Sequence, residues 1–221
     1  MEDPGFRIFE DVLSPAECDA LHSSLSTGSI VRSRAGARHL MAHPAVRIFA
    51  AREELLAIAR GFVGAGALPY RATLFEKSGH RNWLVVWHQD TTLPLAARTG
   101  SVEWGPWSLK EGVTYAQAPT WALENIIALR IHLDASTSAN GPLRVIPGSH
   151  RWGVLSDEEV FRRAREFPAV ECIAPRGSVL AMRPLLIHAS SKAQRDDPRR
   201  VLHVEYASTR EAAPGLRLAL A

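Results

Sequence analysis

Trp87-His88-Gln89-Asp90 sets an imidazole and a carboxylate two positions apart, and a second imidazole, His188, lies far downstream with an arginine pair, Arg199-Arg200, after it. Alternate side chains of an extended segment share a face, so His88 and Asp90 point the same way. With His188 they offer two imidazoles and one carboxylate to a single divalent metal, and the arginines place a fixed positive charge beside it. Three protein ligands on one face of a metal, with the remaining positions open, suit non-haem Fe(II) and oxygen chemistry. Taken singly, each of these residues is better explained as structural, because a His-x-Asp pattern occurs by chance in many proteins. The ordered set makes the case for ligation.

Such a set needs rigid strands to hold it, and the chain supplies them after a helical start. Phe6 to Phe9 has a strand-like alternation. Ser14, Pro15 and Glu17 then form a capping-box helix start, predicting a helix to about Leu25. Ala51 to Arg60 is amphipathic at helical spacing and is followed by Gly61, Gly64 and Gly66. From Tyr70 the pattern changes to β-type runs at 70–75, 83–88, 126–133, 143–146, 170–173, 178–182, 185–188 and 201–207, about eight strands. Asn140-Gly141 and Pro175-Arg176-Gly177 are turn signals, and Ser156 with Glu159 begins a further helix. Helices followed by many short strands predict a mainly β fold, a double-sheet jelly roll with N-terminal helices packed on one sheet. In this reading His188 ends its run, and a polar loop returns the chain so that His188 and Arg199 sit on neighbouring strands of one sheet. A register slip of one residue would turn Arg200 inward instead of Arg199.

The motifs extend well beyond the candidate ligands. Trp104-Gly105-Pro106-Trp107-Ser108, Leu129-Arg130-Ile131-His132-Leu133-Asp134, Asn140-Gly141-Pro142-Leu143, Ile146-Pro147-Gly148-Ser149-His150-Arg151, Pro184-Leu185-Leu186-Ile187-His188-Ala189-Ser190 and Arg199-Arg200-Val201-Leu202-His203 follow Trp87-His88-Gln89-Asp90 in order. On these residues, which cover most of the chain from Phe75 to Ala207, the sequence resembles the phytanoyl-CoA dioxygenase family of Fe(II)- and 2-oxoglutarate-dependent oxygenases, particularly its compact bacterial members. The resemblance implies a cupin-like double-stranded β-helix and assigns His88, Asp90 and His188 to the iron. It matches Arg199 to the arginine that pairs with the distal carboxylate of 2-oxoglutarate, and Ser190 to a hydroxyl donor to the same group. A planar, permanently charged guanidinium suits bidentate capture of a carboxylate. The implied reaction uses O2 and converts 2-oxoglutarate to succinate and CO2 while a small organic or lipid-like substrate is oxidised. Halogenating relatives lack the carboxylate ligand, so Asp90 favours hydroxylation. The alternative is a metal- or ligand-binding jelly roll without turnover, against which Arg199 and Ser190 speak.

Other residues divide between functional and structural readings. Trp104 and Trp107 lie in Leu93 to Thr120, a long segment without clear periodicity; they either wall the substrate pocket or pin the loop to the core. His132 and His150 are expected to be structural hydrogen-bonding residues, and Trp83, Trp87 and Trp121 packing residues. Arg130 and Arg183 either meet an anionic substrate or pair with carboxylates.

The bulk properties restrict the class. The 221 residues are expected to form one domain across 1–221, with 46% hydrophobic and 22% charged residues as in ordinary globular proteins. Apolar runs are interrupted before the ~18 residues a membrane helix needs. The acidic start, Met1-Glu2-Asp3-Pro4, lacks the order of a secretory signal, so the expectation is a cytoplasmic protein. Cys18 and Cys172 have no metal-cage spacing and are expected to be buried thiols. A net charge of +3 spread along the chain argues against a nucleic-acid partner and leaves a small-molecule substrate.

Overall fold

The β-type runs pair as antiparallel strands in the computed structural model, which describes residues 3–26, 30–33, 36–78 and 81–221; Met1 and Glu2 of the acidic start lie outside them. In chain order the strands are β1 (Phe6–Phe9), β2 (Gly36–Ala37), β3 (Leu68–Lys77), β4 (Val85–His88), β5 (Thr92–Leu95), β6 (Trp107–Lys110), β7 (Val113–Gln117), β8 (Ile126–His132), β9 (Leu143–Val145), β10 (Val170–Cys172), β11 (Val179–Met182), β12 (His188–Ser190) and β13 (Arg199–Ala207), with a small hairpin, β14 (Glu211–Ala213) and β15 (Leu216–Arg217). The helices are α1 (Pro15–Leu25), α2 (Pro44–Ala50), α3 (Glu53–Val63), α4 (Thr120–Leu123) and α5 (Asp157–Glu166). A six-stranded sheet in the order β1-β11-β8-β13-β3-β2 faces a four-stranded sheet, β10-β9-β12-β4. This is the expected mainly β jelly roll with helices on one sheet.

Strand periodicity explains how the large sheet serves two purposes. Alternate residues Leu202, Val204 and Tyr206 of β13, Ala72 and Leu74 of β3, and Ile127, Leu129 and Ile131 of β8 join one apolar cluster with Leu21 and Leu25 of α1, Phe49 of α2 and Leu55 of α3. The intervening residues of the same strands face the second sheet. Each fully buried aliphatic side chain in that layer contributes about 1.5–3 kcal/mol relative to exposure. The helix starts follow their local signals. Ser14 N–H donates to Glu17 Oε2 at 2.8 Å while Glu17 N–H donates to Ser14 Oγ at 3.3 Å, the full capping box. At Ser156 only half of it forms, since Glu159 turns its carboxylate to Arg162 and Arg163. Helix α3 runs through Gly61 and ends at Gly64, whose φ of 87° takes the chain out of helical geometry.

Three expectations are corrected. The segment from Leu93 to Thr120 is a three-stranded sheet, β5-β7-β6, whose pattern is obscured by Pro94 in an edge strand. The apolar run 185–188 is a turn up to Leu186, with Leu186 N–H on Arg183 O, and His188 begins a strand instead of ending one. Finally, β12 and β13 lie in the two facing sheets, so His188 and Arg199 meet across the sandwich and are not strand neighbours. Both cysteines are free and buried, as expected. Among the described residues no helix is long and apolar enough to cross a membrane.

Candidate metal centre

Register brings the two histidines together. In the small sheet β12 pairs with β4 so that His188 is directly opposite His88, and their ring centroids are 4.1 Å apart. Asp90 follows in extended chain, fixed by its N–H on Pro184 O at 2.9 Å. Gln89 points the other way, as alternation requires. Its Nε2 donates to Gly153 O and Leu185 O at 2.9 and 2.7 Å, and its Oε1 accepts from Leu155 N–H at 2.9 Å. A glutamine between two candidate ligands thus locks the segment that presents them.

Each imidazole donates its Nδ1 proton to a backbone carbonyl two residues earlier, His88 to Val86 O and His188 to Leu186 O, both at 2.8 Å. The tautomer follows from those acceptors: Nε2 of each ring keeps a lone pair. The lone pairs converge on Asp90, with His88 Nε2 3.8 Å from Oδ1 and His188 Nε2 3.6 Å from Oδ2. All three ligand atoms lie within 4.8 Å of one another, and the two His–Asp separations of 3.8 and 3.6 Å are ones that an ion at about 2 Å from each donor can bridge. Burial, then His88 and Arg130, hold His188 down at about 4 against the opposing pull of Asp90, so its ring is neutral and fit to ligate at pH 7. For Asp90, burial pushes upward but is outweighed by His188, His88, His203 and Arg71, which keep the carboxyl ionised.

The same cavity continues along the inward face of the large sheet. Arg199 is opposite Lys77 in the β13–β3 register, so both point inward, and they are 3% and 2% exposed. Ser190, on the facing strand β12, accepts from Lys77 Nζ at 2.7 Å and Arg199 Nη2 at 3.3 Å, and donates to Gly141 O at 2.9 Å. Arg200 turns outward, where its Nη2 and Nε grip the Asp134 carboxylate at 2.6 Å each. The choice between the two arginines therefore falls on Arg199. Burial first, then Arg199 and Arg130, pull Lys77 down to about 7.

Arg130, left open by the sequence, lies in the cavity at 7% exposure. Its Nη1 donates to His203 Nδ1 at 3.2 Å, its guanidinium sits over Phe75, and its buried Nε has no partner. Among the described residues no carboxylate forms an ion pair with Lys77, Arg130 or Arg199; the two carboxylates of the pocket, Asp90 and Glu205, face the two candidate histidine ligands and Arg71 instead, so cationic groups outnumber acids there. Burial of uncompensated charge is costly, and an anionic ligand removes that cost. This is the fit that a dicarboxylate bound between the cations and the metal ligands requires.

Trp104 and Trp107 are not brought to this cavity. Gly105 N–H and Pro106 O both pair with Gln117, which lays the tryptophans on the β5-β7-β6 sheet. Trp104 is 4% exposed among Tyr70, Leu93 and Leu95 and edge-on to Trp121, while Trp107 packs on the same cluster under Arg98. The pinning reading holds for Trp104. The aromatic walls are instead Phe75 and Trp83, the latter expected only to pack. His132 bonds Ser136 Oγ at 3.0 Å, in line with the structural expectation, whereas His150 lies 3.8 Å from Asp3, beyond hydrogen-bond reach, and Arg183 pairs with Asp3. Lys77, Thr73 and Arg71 escaped the sequence reading. Their signal is the polar alternation Arg71-Thr73-Phe75-Lys77 in an otherwise apolar strand.

Residues 1–201 match the family described as phytanoyl-CoA dioxygenase (PhyH). The chain belongs to that family. Among relatives of this phytanoyl-CoA dioxygenase family member, L-proline trans-4-hydroxylase of Streptomyces griseoviridis is 26% identical over 178 residues, 69% of this chain and 59% of that protein. The chain thus spans less than two thirds of that relative. AviO1 from Streptomyces viridochromogenes Tue57 superposes with a TM-score of 0.66 at 24% identity, covering 93% of this chain and 90% of AviO1. EctD from S. alaskensis, in a structure with 2-oxoglutarate and 5-hydroxyectoine, gives 0.67 at 23% identity, over 92% of this chain and 72% of EctD. These likenesses establish the fold of the family member.

Proposed function

We propose that the protein is an Fe(II)- and 2-oxoglutarate-dependent dioxygenase that hydroxylates a small organic or lipid-like molecule, acting as one domain across 1–221. One observation carries the reading: the convergent Nε2, Nε2 and carboxylate atoms of His88, His188 and Asp90 share a cavity with a buried cluster of Lys77, Arg130 and Arg199, none of them ion-paired to a carboxylate among the described residues. Family membership and the 2-oxoglutarate in the EctD structure support it.

His88, Asp90 and His188 would hold the iron, which, when bound, supplies oxygen activation coupled to conversion of 2-oxoglutarate to succinate and CO2. The chain's own residues do the rest. Arg199 presents guanidinium N–H groups to the distal carboxylate of the co-substrate, with Lys77 as a second cation, and Ser190 serves as the hydroxyl donor by turning its proton from Gly141 O to that carboxylate. Val86 O and Leu186 O orient the imidazoles, and Gln89 keeps the ligand segment from shifting. The apolar walls Phe75, Val85 and Leu143 exclude water, which strengthens each of these charge interactions. Asp90 occupies the ligand place that favours hydroxylation over halogenation.

Anaerobic titration with Fe(II) and 2-oxoglutarate, followed by oxygen, tests this. The expected result is a metal-to-ligand charge-transfer band, succinate on oxygenation, and loss of both in His188→Ala. No band in the wild type, or an unchanged band in His188→Ala, overturns the assignment. A band without succinate supports the alternative of a binding protein without turnover.

A further inference from the structure

Beyond Asp90 the inward faces of β3 and β13 continue to one more register pair, Arg71 opposite Glu205, and both line the cavity. Glu205 is 5% exposed and already accepts from Tyr70 OH at 2.6 Å, Arg71 Nη1 at 3.0 Å and His203 Nε2 at 3.2 Å. The His203 proton is on Nε2 because Nδ1 accepts from Arg130. Glu205 is therefore saturated and anchors one corner of the Arg71 guanidinium. The Nε and Nη2 donors of Arg71 have no protein acceptor among the described residues, and its side chain is 20% exposed.

More positive charge gathers there. The Tyr115 ring lies 5.3 Å from the Arg71 guanidinium and 4.9 Å from Lys110 Nζ, and its hydroxyl meets His39 Nε2 at 3.0 Å. Lys110 is held below its ordinary value by burial first and then by Arg71 and Arg38. Glu205 is held by Arg71 at 3.0 Å, and Glu111, 60% exposed, faces His39. Over the whole cavity, Arg71, Lys77, Arg130 and Arg199 stand against two carboxylates, Asp90 and Glu205. The two carboxylates of 2-oxoglutarate balance that excess, and a divalent metal then restores it. The loaded cavity remains positive, with the free donors of Arg71 on the side away from Arg199.

We propose that the substrate is a small acid, whose carboxylate or phosphate group is captured by the free fork of Arg71 while the positive charge of Lys110 and Arg38 draws it toward this end of the cavity. Glu205 is the positioning residue that aims the fork. The proposal rests on the reading of His88, Asp90 and His188 as the metal site. A planar fork fixes the acid in orientation as well as position, which a reaction at one carbon of a small molecule requires.

The test uses the full chain, saturated with Fe(II) and 2-oxoglutarate without oxygen, so that the Arg199 end is filled. Benzoate, cyclohexanecarboxylate and phenyl phosphate are titrated by calorimetry against benzamide and cyclohexanecarboxamide. We expect at least one acid to bind, its amide to bind about tenfold more weakly or worse, and Arg71→Leu to lower acid affinity about tenfold, with partial recovery in Arg71→Lys. Lys110→Gln, on an edge strand, should flatten the salt dependence of acid binding. The relative affinities of phenyl phosphate and benzoate distinguish the two acid groups. No acid binding, amides equal to acids, or Arg71→Leu equal to wild type overturns the proposal. If Arg71→Leu fails to fold, the acid-to-amide ratio and Lys110→Gln decide. The charge-transfer band of the same samples separates the two readings: its absence in the wild type sinks the metal site, whereas a band retained in Arg71→Leu with acid binding lost supports the substrate anchor.

Discussion

Neighbouring arginines with opposite fates give the sharpest residue-scale expectation. Arg199 is buried against Ser190, and Arg200 is clamped to Asp134 on the outside of the sheet. Arg199→Gln should raise the KM for 2-oxoglutarate about tenfold or more, since a buried charge-assisted pair is worth about 1.5–3 kcal/mol. Arg200→Gln should leave that KM within twofold of wild type, because its pair is partly solvated. Steady-state kinetics with varied 2-oxoglutarate checks the contrast. Lys77 adds a pH dependence. Its folded pKa is lowered to about 7, below its unfolded value, so between those two values the unfolded chain binds more protons and stability rises with pH. Below pH 7 the folded protein without co-substrate bears the full cost of the buried charge. Lys77→Met should therefore be more stable than wild type near pH 6, and the gap in Tm should narrow as the pH rises above 7 and close only near the unfolded lysine value of about 10.4. Thermal melts without 2-oxoglutarate measure it, and a gap that stays constant with pH contradicts the assignment. The alternation Arg71-Thr73-Phe75-Lys77 marks the face that Lys77 shares, but a lysine at the end of a strand has no local signature of burial.

At the scale of elements, turns and registers decide what each strand presents. The Asn140-Gly141 turn was legible because its residue types demand it, and Gly141 adopts a φ of 69° with its carbonyl accepting from Ser190. A Cβ there would lie 2.4 Å from Ser191 O, against backbone that cannot give way. Gly141→Ala should cost at least about 1 kcal/mol of stability and raise the KM for 2-oxoglutarate, through displacement of Ser190. Melting and kinetics on the same variant test both effects, and a higher KM without lowered stability would argue against backbone strain as the cause. The strands themselves were legible from period-two patterning at β3, β8 and β13. The run before His188 was not, because four apolar residues satisfy a turn packed into the core as well as a strand. The β5-β7-β6 sheet was hidden for the converse reason: Pro94 and a Gly105-Pro106 corner resemble a loop, yet Leu93 and Trp107 pair with the same residue, Ala116, from its two sides.

At the scale of the whole molecule, two sheets and a helical layer produce one cavity with a polarity along its length. Arg199, Lys77 and Ser190 lie toward one end, Arg71 and Glu205 toward the other, and the His88, Asp90 and His188 group lines the same cavity. Successive inward residues of β3 and β13 lie about 6.6 Å apart along the strand, so the order of residues in sequence becomes an order along the cavity. The sequence by itself determined the ligand types, the jelly-roll class and which residues of a strand share a face, because donor chemistry is a property of side chains and periodicity is a property of the local backbone. Tertiary structure alone decided which faces meet: that His188 faces Arg199 across two sheets, that Arg199 and not Arg200 turns inward, that Lys77 and Arg71 join the site, and that Trp104 leaves it for the core. Those outcomes depend on strand pairing between residues far apart in the chain, where a shift of one position exchanges every inward side chain for an outward one, and no local pattern carries that information.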